Sequence, residues 1–197
     1  MHLLTQVLCF SFISLASSPS LAKTSISDES MQQMRERKVN SVAADVPPLT
    51  KFSTPDKIMQ QVRERGVNSV VAEINAEYGQ EKIIQNIKTG DKQWLQIAFK
   101  LYPNTHPKFS QQIIDALSDV LIEHPVEILA LTKAHRTLSF PDICNIPSTI
   151  KGLNQQRNFA KKMVTSLRAA EKYNRGENLD NIETCLWEFE RMHSAYL

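Results

Sequence analysis

Apolar residues recur three or four positions apart in short segments bounded by glycine or proline, and this spacing most constrains the fold. One such segment carries Trp94, Leu95, Ile97, Ala98 and Leu101. This period matches one face of an α-helix. The chain has only five glycines among 197 residues, which disfavours turn-dense β-sandwiches and barrels. The sequence therefore predicts an all-α fold, either a compact orthogonal bundle or a short stack of helical hairpins.

The N-terminal segment has the features of an export signal. Residues 1–22 contain no Asp, Glu, Lys or Arg, and their apolar run at residues 3–16 is shorter than the about 20 residues that span a bilayer. Ser20, Leu21 and Ala22 form a small-x-small cleavage signal. We therefore expect a signal peptide at residues 1–22, a periplasmic or extracellular location and no stable membrane insertion. An uncleaved anchor is the alternative, because no Lys or Arg precedes the apolar run.

Cleavage would remove Cys9 and leave two cysteines, Cys144 and Cys185. In an oxidising compartment, two cysteines in a small domain usually form one bridge. We therefore expect a Cys144–Cys185 disulfide, whose loop of about 40 residues would stabilise the fold by about 4 kcal/mol. Two unpaired buried thiols and a reactive cysteine are the alternatives.

A fifteen-residue sequence occurs twice, as MQQMRERKVNSVAAD at residues 31–45 and as MQQVRERGVNSVVAE at residues 59–73. Eleven of the aligned positions are identical. Pro47 and Pro48 lie between the copies and prevent a continuous helix. We expect residues 23–53 to form a mobile or loosely docked arm and residues 54–197 to form the helical domain. The first copy is either a redundant product of duplication or a second helix that packs on or recruits something.

Local signals divide the helical domain into short helices. Thr54, followed by Pro55, is expected to cap the first helix, and Gly79 is expected to end the second. The longest helix is predicted over residues 153–173. Asp180 with Glu183 three residues later resembles a capping box and predicts the start of the last helix.

Four motifs carry a resemblance to known proteins. Residues 90–103 read GDKQWLQIAFKLYP, and an A-L-x-x-x-L run follows at residues 116–121. An x-P-x-x-I-L pattern occupies residues 124–129, and C-x-x-P occupies residues 144–147. Over roughly residues 68–147 the chain thus resembles a group of small exported bacterial proteins of unknown function. The resemblance implies no activity and no functional residue.

The sequence indicates no catalytic residue, metal site or cofactor. No nucleophile elbow, phosphate-binding loop or zinc-binding helix motif occurs, and His193 with Glu190 supplies too few ligands for a metal ion. The formal net charge of +2 is too small to indicate a nucleic-acid partner.

Four basic residues fall on one side of the predicted long helix, at spacings of four, seven and four: Arg157, Lys161, Arg168 and Lys172. A solvated face is the simplest interpretation. A docking surface for an acidic partner is the functional interpretation. A lipid-headgroup surface is a third, which the absence of flanking aromatic residues disfavours.

These observations favour a non-enzymatic protein-binding module of the cell envelope or exterior, with an inhibitor- or immunity-like role. Its partner would be another protein. A hydrolase of envelope polymers and a structural envelope component are the alternatives.

Overall fold

The computed structural model describes residues 52–76 and 79–197. The predicted signal peptide, the first repeat copy and most of the predicted arm lie outside the described residues. Within the described residues the chain forms nine α-helices and no strand. The prediction of an all-α fold is therefore confirmed.

The helices follow one another through short connections. They are α1 (Pro55–Arg65), α2 (Val67–Ala76), α3 (Gly79–Ile87), α4 (Lys92–Leu101), α5 (Pro107–Leu121), α6 (Pro125–His135), α7 (Phe140–Ile143), α8 (Leu153–Tyr173) and α9 (Glu177–His193). Single turns of 3-10 helix follow α4 at Tyr102–Asn104 and α9 at Ser194–Tyr196.

The first helix begins where its capping residues predict. The Thr54 hydroxyl accepts a hydrogen bond of 3.4 Å from the backbone N–H of Lys57, and Pro55 occupies the first turn, where its missing N–H has no partner to lose. Gly66 ends α1 with φ of +82°, a backbone conformation that residues with a Cβ rarely adopt. Phe52, two residues before the cap, is also buried in the core.

Two predicted helix boundaries are wrong. Gly79 is the first residue of α3 rather than the end of α2. The last helix begins at Glu177, after Gly176 at φ of +57°, so Asp180 lies inside its first turn and does not cap it. Only glycine adopts such backbone angles freely, and Gly176 therefore sets the sharp entry into α9.

The core is built from the apolar face of every helix longer than one turn. The largest side chains with almost no exposure include Phe99, Phe109, Phe189, Ile58, Ile74, Ile83, Leu95, Ile113 and Leu117. Burial of such side chains stabilises a fold by about 1.5–3 kcal/mol each. This continuous cluster, rather than any single contact, holds the helices together.

The C-terminal helix α9 packs against α8, α6 and α7. Its side chains Ile182, Cys185, Leu186 and Phe189 are all buried. Because α9 touches three other helices, restraint applied to it also holds the position of α8. The prediction of compact helix packing with one disulfide is confirmed.

Candidate functional site

The two cysteines of the helical domain form the expected bridge. Cys144 and Cys185 are joined by a disulfide with a Cα–Cα distance of 5.5 Å and 41 positions of sequence separation. Both side chains are fully buried. The bridge links the end of α7 to the inward face of α9. α9 therefore cannot separate from the segment that follows α7 unless the disulfide is broken.

Hydrogen bonds hold the segment that leads into Cys144. At the start of α7, Ser139 and Asp142 form a capping box, in which each side chain accepts from the other residue's backbone N–H. The buried Ser118 hydroxyl donates to the carbonyl oxygen of Ile143 at 2.8 Å. This segment is therefore fixed to α5 as well as to α9.

A buried carboxylate fixes the chain just after the bridge. Asp115 of α5 is 6% exposed and accepts from the backbone N–H of Ser148 at 2.8 Å and from its hydroxyl at 2.6 Å. The side-chain amide of Gln111 donates to the same carboxylate at 3.0 Å. Three donors satisfy a group that would otherwise be costly to bury.

The end of α9 meets the same segment through His193. Its Nε2 lies 2.9 Å from Oδ1 of Asn145, and its ring packs 4.7 Å from the ring of Phe189, measured between centroids. Burial lowers the pKa of His193, because the charged imidazolium loses hydration there. The neutral ring is the form that this site favours.

Tyr102, in the turn after α4, also has a shifted pKa. Burial raises the pKa of its phenol, and the nearby negative charge of Asp142 raises it further. The hydroxyl therefore stays protonated at neutral pH, and both shifts have structural causes.

The predicted basic stripe lies on the exposed surface of α8, a single uninterrupted helix of 21 residues. Arg157, Lys161, Arg168 and Lys172 are all exposed. Arg168 pairs with Glu190 of α9 at 2.8 Å and lies 3.8 Å from Glu171. The other three stripe residues form no ion pair with any described residue.

The acidic residues of α9 only partly complement the stripe. Glu190 bonds Arg168 across the two helices, whereas Glu188 pairs with Arg191 on its own helix at 2.6 Å. Exposed pairs of this kind contribute about 0–1 kcal/mol. Most of the positive charge on α8 therefore faces solvent.

Two exposed aromatic side chains, one on α8 and one on α9, are absent from the sequence-based site. Tyr173, the last residue of α8, follows Lys172 and is 86% exposed. Trp187 of α9 is 61% exposed, and the Arg191 guanidinium lies 5.2 Å from its ring centroid. The buried positions of α9 include 182, 185, 186 and 189, and Trp187 lies on a different side of the helix. Its position around the helix is the sequence signal that indicates its exposure. Tyr173 directly follows Lys172, so the expectation that no aromatic residue flanks the stripe is wrong.

Over residues 52–76 and 79–197, no helix is both long and apolar enough to cross a membrane. Within that same part of the chain, no group of three or more His, Cys, Asp or Glu side chains is arranged to hold a metal ion.

The fold and the surface define a disulfide-stapled, all-α domain that carries a basic helix. Comparison with protein-family models, curated proteins and solved structures finds no match for the chain. The resemblance to small exported bacterial proteins over roughly residues 68–147 stays a prediction.

Proposed function

We propose that this chain is an exported, non-enzymatic protein-binding module that docks an acidic partner on the basic stripe of α8. The observation that carries the proposal is the set of three exposed cations on one side of α8 without an ion pair among the described residues: Arg157, Lys161 and Lys172. Unpaired surface charge on a rigid element steers an oppositely charged protein and sets its orientation.

Rigidity supports this role. The disulfide holds α9, α9 packs along α8, and the Ser166 hydroxyl of α8 donates to the carbonyl oxygen of Ile122 after α5. A surface that is already ordered loses little conformational entropy on binding.

Tyr173 adds an exposed aromatic ring beside Lys172, and aromatic residues are enriched at binding hot spots.

Export is part of the same proposal. Disulfides persist in the periplasm and outside the cell and are rare in reducing compartments, so the Cys144–Cys185 bridge supports export. Residues 1–22 would be the signal peptide, removed after Ala22. A small, stapled helical domain outside the cytoplasm suits an inhibitor- or immunity-like role, in which neither nucleic acid nor a cofactor takes part.

Affinity capture from the cell envelope tests the proposal, using residues 23–197 as bait. One variant carries Arg157→Glu, Lys161→Glu and Lys172→Glu. The matched control carries Lys82→Glu, Lys100→Glu and Lys108→Glu, which alter three exposed lysines outside α8 by the same total charge.

The wild-type chain and the control should retain one acidic protein at a stoichiometric amount, and the α8 variant should lose it. Equal capture by all three proteins would contradict the stripe as the docking surface. Turnover of an envelope polymer by the purified chain would favour the hydrolase alternative.

A further inference from the structure

The described residues have four large hydrophobic side chains that are exposed, and all four lie between positions 153 and 197. They are Leu153, Tyr173, Trp187 and Leu197. Single exposed apolar side chains are ordinary on a protein surface, so the surroundings of each one decide whether it has a role. Trp187 has charged neighbours on α9 and, through the packing of the two helices, on α8 as well.

The register of α8 and α9 shows which part of the basic stripe lies beside Trp187. Residues 174–176 connect the two helices, and so short a connection makes them antiparallel neighbours. The Arg168 guanidinium bonds the Glu190 carboxylate across them at 2.8 Å. One turn away from this pair, Lys172 follows Arg168 on α8 and Trp187 precedes Glu190 on α9. Lys172 and Trp187 therefore lie at the same level, on opposite sides of the surface groove between α8 and α9.

Both side chains point away from the core. Successive residues of a helix are turned by about 100°, so Lys172 is turned by about 40° from Arg168 and Trp187 by about 60° from Glu190. Lys172 is exposed, and Trp187 is 61% exposed. The cation and the ring are therefore presented on the same outer side of the two helices.

The Trp187 ring is held in position by its neighbours on α9. The Arg191 guanidinium lies 5.2 Å from the ring centroid, and it is fixed in turn by Glu188, whose Oε2 accepts from Nη2 of Arg191 at 2.6 Å and from Nε at 3.2 Å. Glu188 is itself only 16% exposed. An exposed ring that is already ordered loses little conformational entropy when a partner covers it.

Lys172 is the cation near the ring that has no carboxylate partner among the described residues. Arg191 is paired with Glu188 and Arg168 is paired with Glu190. Lys161, eleven positions before Lys172, lies about 16 Å further along α8 and is also without an ion pair in the described part of the chain. The groove thus offers one apolar ring and, along its α8 side, a line of unpaired positive charge.

We propose that the α8–α9 groove binds an acidic helix of the partner protein, with an apolar side chain of that helix on Trp187 and its carboxylates on Lys172 and Lys161. The inference rests on the proposed function, because it uses the same basic stripe, and it adds the apolar anchor and the form of the partner. A helix lies lengthwise in a groove between two helices. An extended segment would need a sheet edge, and the described residues form no strand.

The charges on α9 favour a protein partner over an anionic lipid surface. Asp180 and Glu183 are exposed and lie on the same side of α9 as Trp187, one and two turns before it. A uniformly anionic surface that covered Trp187 would also meet these two carboxylates. A protein helix avoids this repulsion when its acidic side chains face α8 and its neutral or basic side chains face α9.

Two helical peptides of about 20 residues test the inference. Both are rich in glutamate and alanine and lack tryptophan. The leucine peptide carries leucine at two central positions one turn apart, and the alanine peptide carries alanine there. Binding of each labelled peptide to residues 23–197 is measured by fluorescence anisotropy at low salt, for wild type, Trp187→Ala, Leu153→Ala and the α8 variant.

Leu153→Ala is the matched control for the loss of an exposed apolar side chain. Leu153 is 53% exposed and lies nineteen positions before Lys172 on α8, which is about 28 Å along the helix. Circular dichroism confirms that every variant keeps the wild-type helix content.

Wild type and Leu153→Ala should bind the leucine peptide at least about tenfold more tightly than the alanine peptide, as expected when a hot-spot ring is covered. Trp187→Ala should lose this preference and still bind the alanine peptide as wild type does. The α8 variant should bind neither peptide.

Tryptophan emission gives a second readout. The chain has two tryptophans, and Trp94 is buried in the core. Because Trp94 is present in both wild type and Trp187→Ala, a blue shift that the leucine peptide causes only in wild type belongs to Trp187. We expect that shift.

The failure of this inference is distinct from the failure of the proposed function. A leucine preference retained in Trp187→Ala, with binding lost in the α8 variant, would keep the stripe as the docking surface and remove Trp187 as its anchor. Equal binding of both peptides by all four proteins would contradict the stripe and the anchor together.

Two other results would assign the groove to a different occupant and overturn the inference. A blue shift of Trp187 emission on phosphatidylglycerol vesicles, without a preference between the peptides, would indicate a lipid surface. A wild-type dimer in sedimentation velocity that Trp187→Ala abolishes would indicate a second copy of this chain.

Discussion

Asn145 and His193 are joined by a 2.9 Å hydrogen bond between Oδ1 and Nε2, which ties the residue after Cys144 to the last residue of α9. This bond lies beside the disulfide. The segment after α7 is therefore joined to α9 by a covalent bond at Cys144 and by a hydrogen bond at Asn145. One partner is a histidine whose burial lowers its pKa, so the stability of this region depends on pH.

The fold should lose stability in acid through His193. Its folded pKa is lowered by burial, whereas the unfolded side chain has a pKa of about 6.5. Above that pH neither state binds the proton and His193 has no effect. As the pH falls below about 6.5, the unfolded state binds more protons, and the free energy of unfolding decreases until the folded pKa is passed.

Urea denaturation at pH 7.5 and pH 5.0 measures this loss. His193→Gln removes the titrating group and keeps an amide that can donate to Asn145, so it should reduce the difference between the two midpoints. His135→Gln, at an exposed position, is the matched control and should retain the wild-type difference. An unchanged pH difference in His193→Gln would show that other groups are responsible.

Gly90→Ala should destabilise the turn between α3 and α4 for two separate reasons. Gly90 has φ of +73°, and an added Cβ would lie 2.5 Å from Nε2 of His124. The backbone strain costs about 1–2 kcal/mol, and displacement of the His124 ring adds to it.

The two costs can be separated by comparison with Gly66→Ala. Gly66 also has a positive φ, but an added Cβ there meets no atom within 4 Å. Adding His124→Ala should recover part of the loss in Gly90→Ala and none of the loss in Gly66→Ala, as measured by urea midpoints. Additive effects of Gly90→Ala and His124→Ala would show that the ring moves away without cost.

Asp115→Ala should destabilise the fold by about 1–3 kcal/mol, because it leaves the donors of Ser148 without a buried acceptor. The control is Asp119→Ala, which removes an ion pair with Lys88. The side chain of Lys88 is 42% exposed and that of Asp119 is 34% exposed. This pair should contribute no more than about 1 kcal/mol. Equal losses of unfolding free energy in the two variants would contradict a structural role for the buried carboxylate.

The long helix was predictable from the sequence, and the cap of the last helix was not. α8 has the predicted bounds, Leu153–Tyr173, because twenty-one residues of regular apolar spacing outweigh local uncertainty at the ends. The capping-box signal at Asp180 and Glu183 is wrong, because Gly176 supplies a backbone entry that starts the helix earlier. Capping patterns describe local preference, and a glycine with unusual backbone angles overrides them.

The contacts that fix the site could not be predicted in the same way. Asp115 and Ser148 are 33 positions apart, and His193 and Asn145 are 48 positions apart. No local pattern relates such residues, since the packing of several helices brings them together. The disulfide is the exception, because the expected removal of residues 1–22 leaves two cysteines, which have one possible pairing within the chain.

The Cys144–Cys185 bridge restrains α9 and, because α9 packs on α8, keeps the α8–α9 surface in one shape. Thermal unfolding of residues 23–197, followed by circular dichroism with and without reductant, tests it directly, provided that mass spectrometry confirms both thiols in the reduced sample. We predict a lower melting temperature, a loss of about 4 kcal/mol for a loop of this length and faster hydrogen exchange along α9. Unchanged helix content and an unchanged melting temperature in the fully reduced protein would contradict the account.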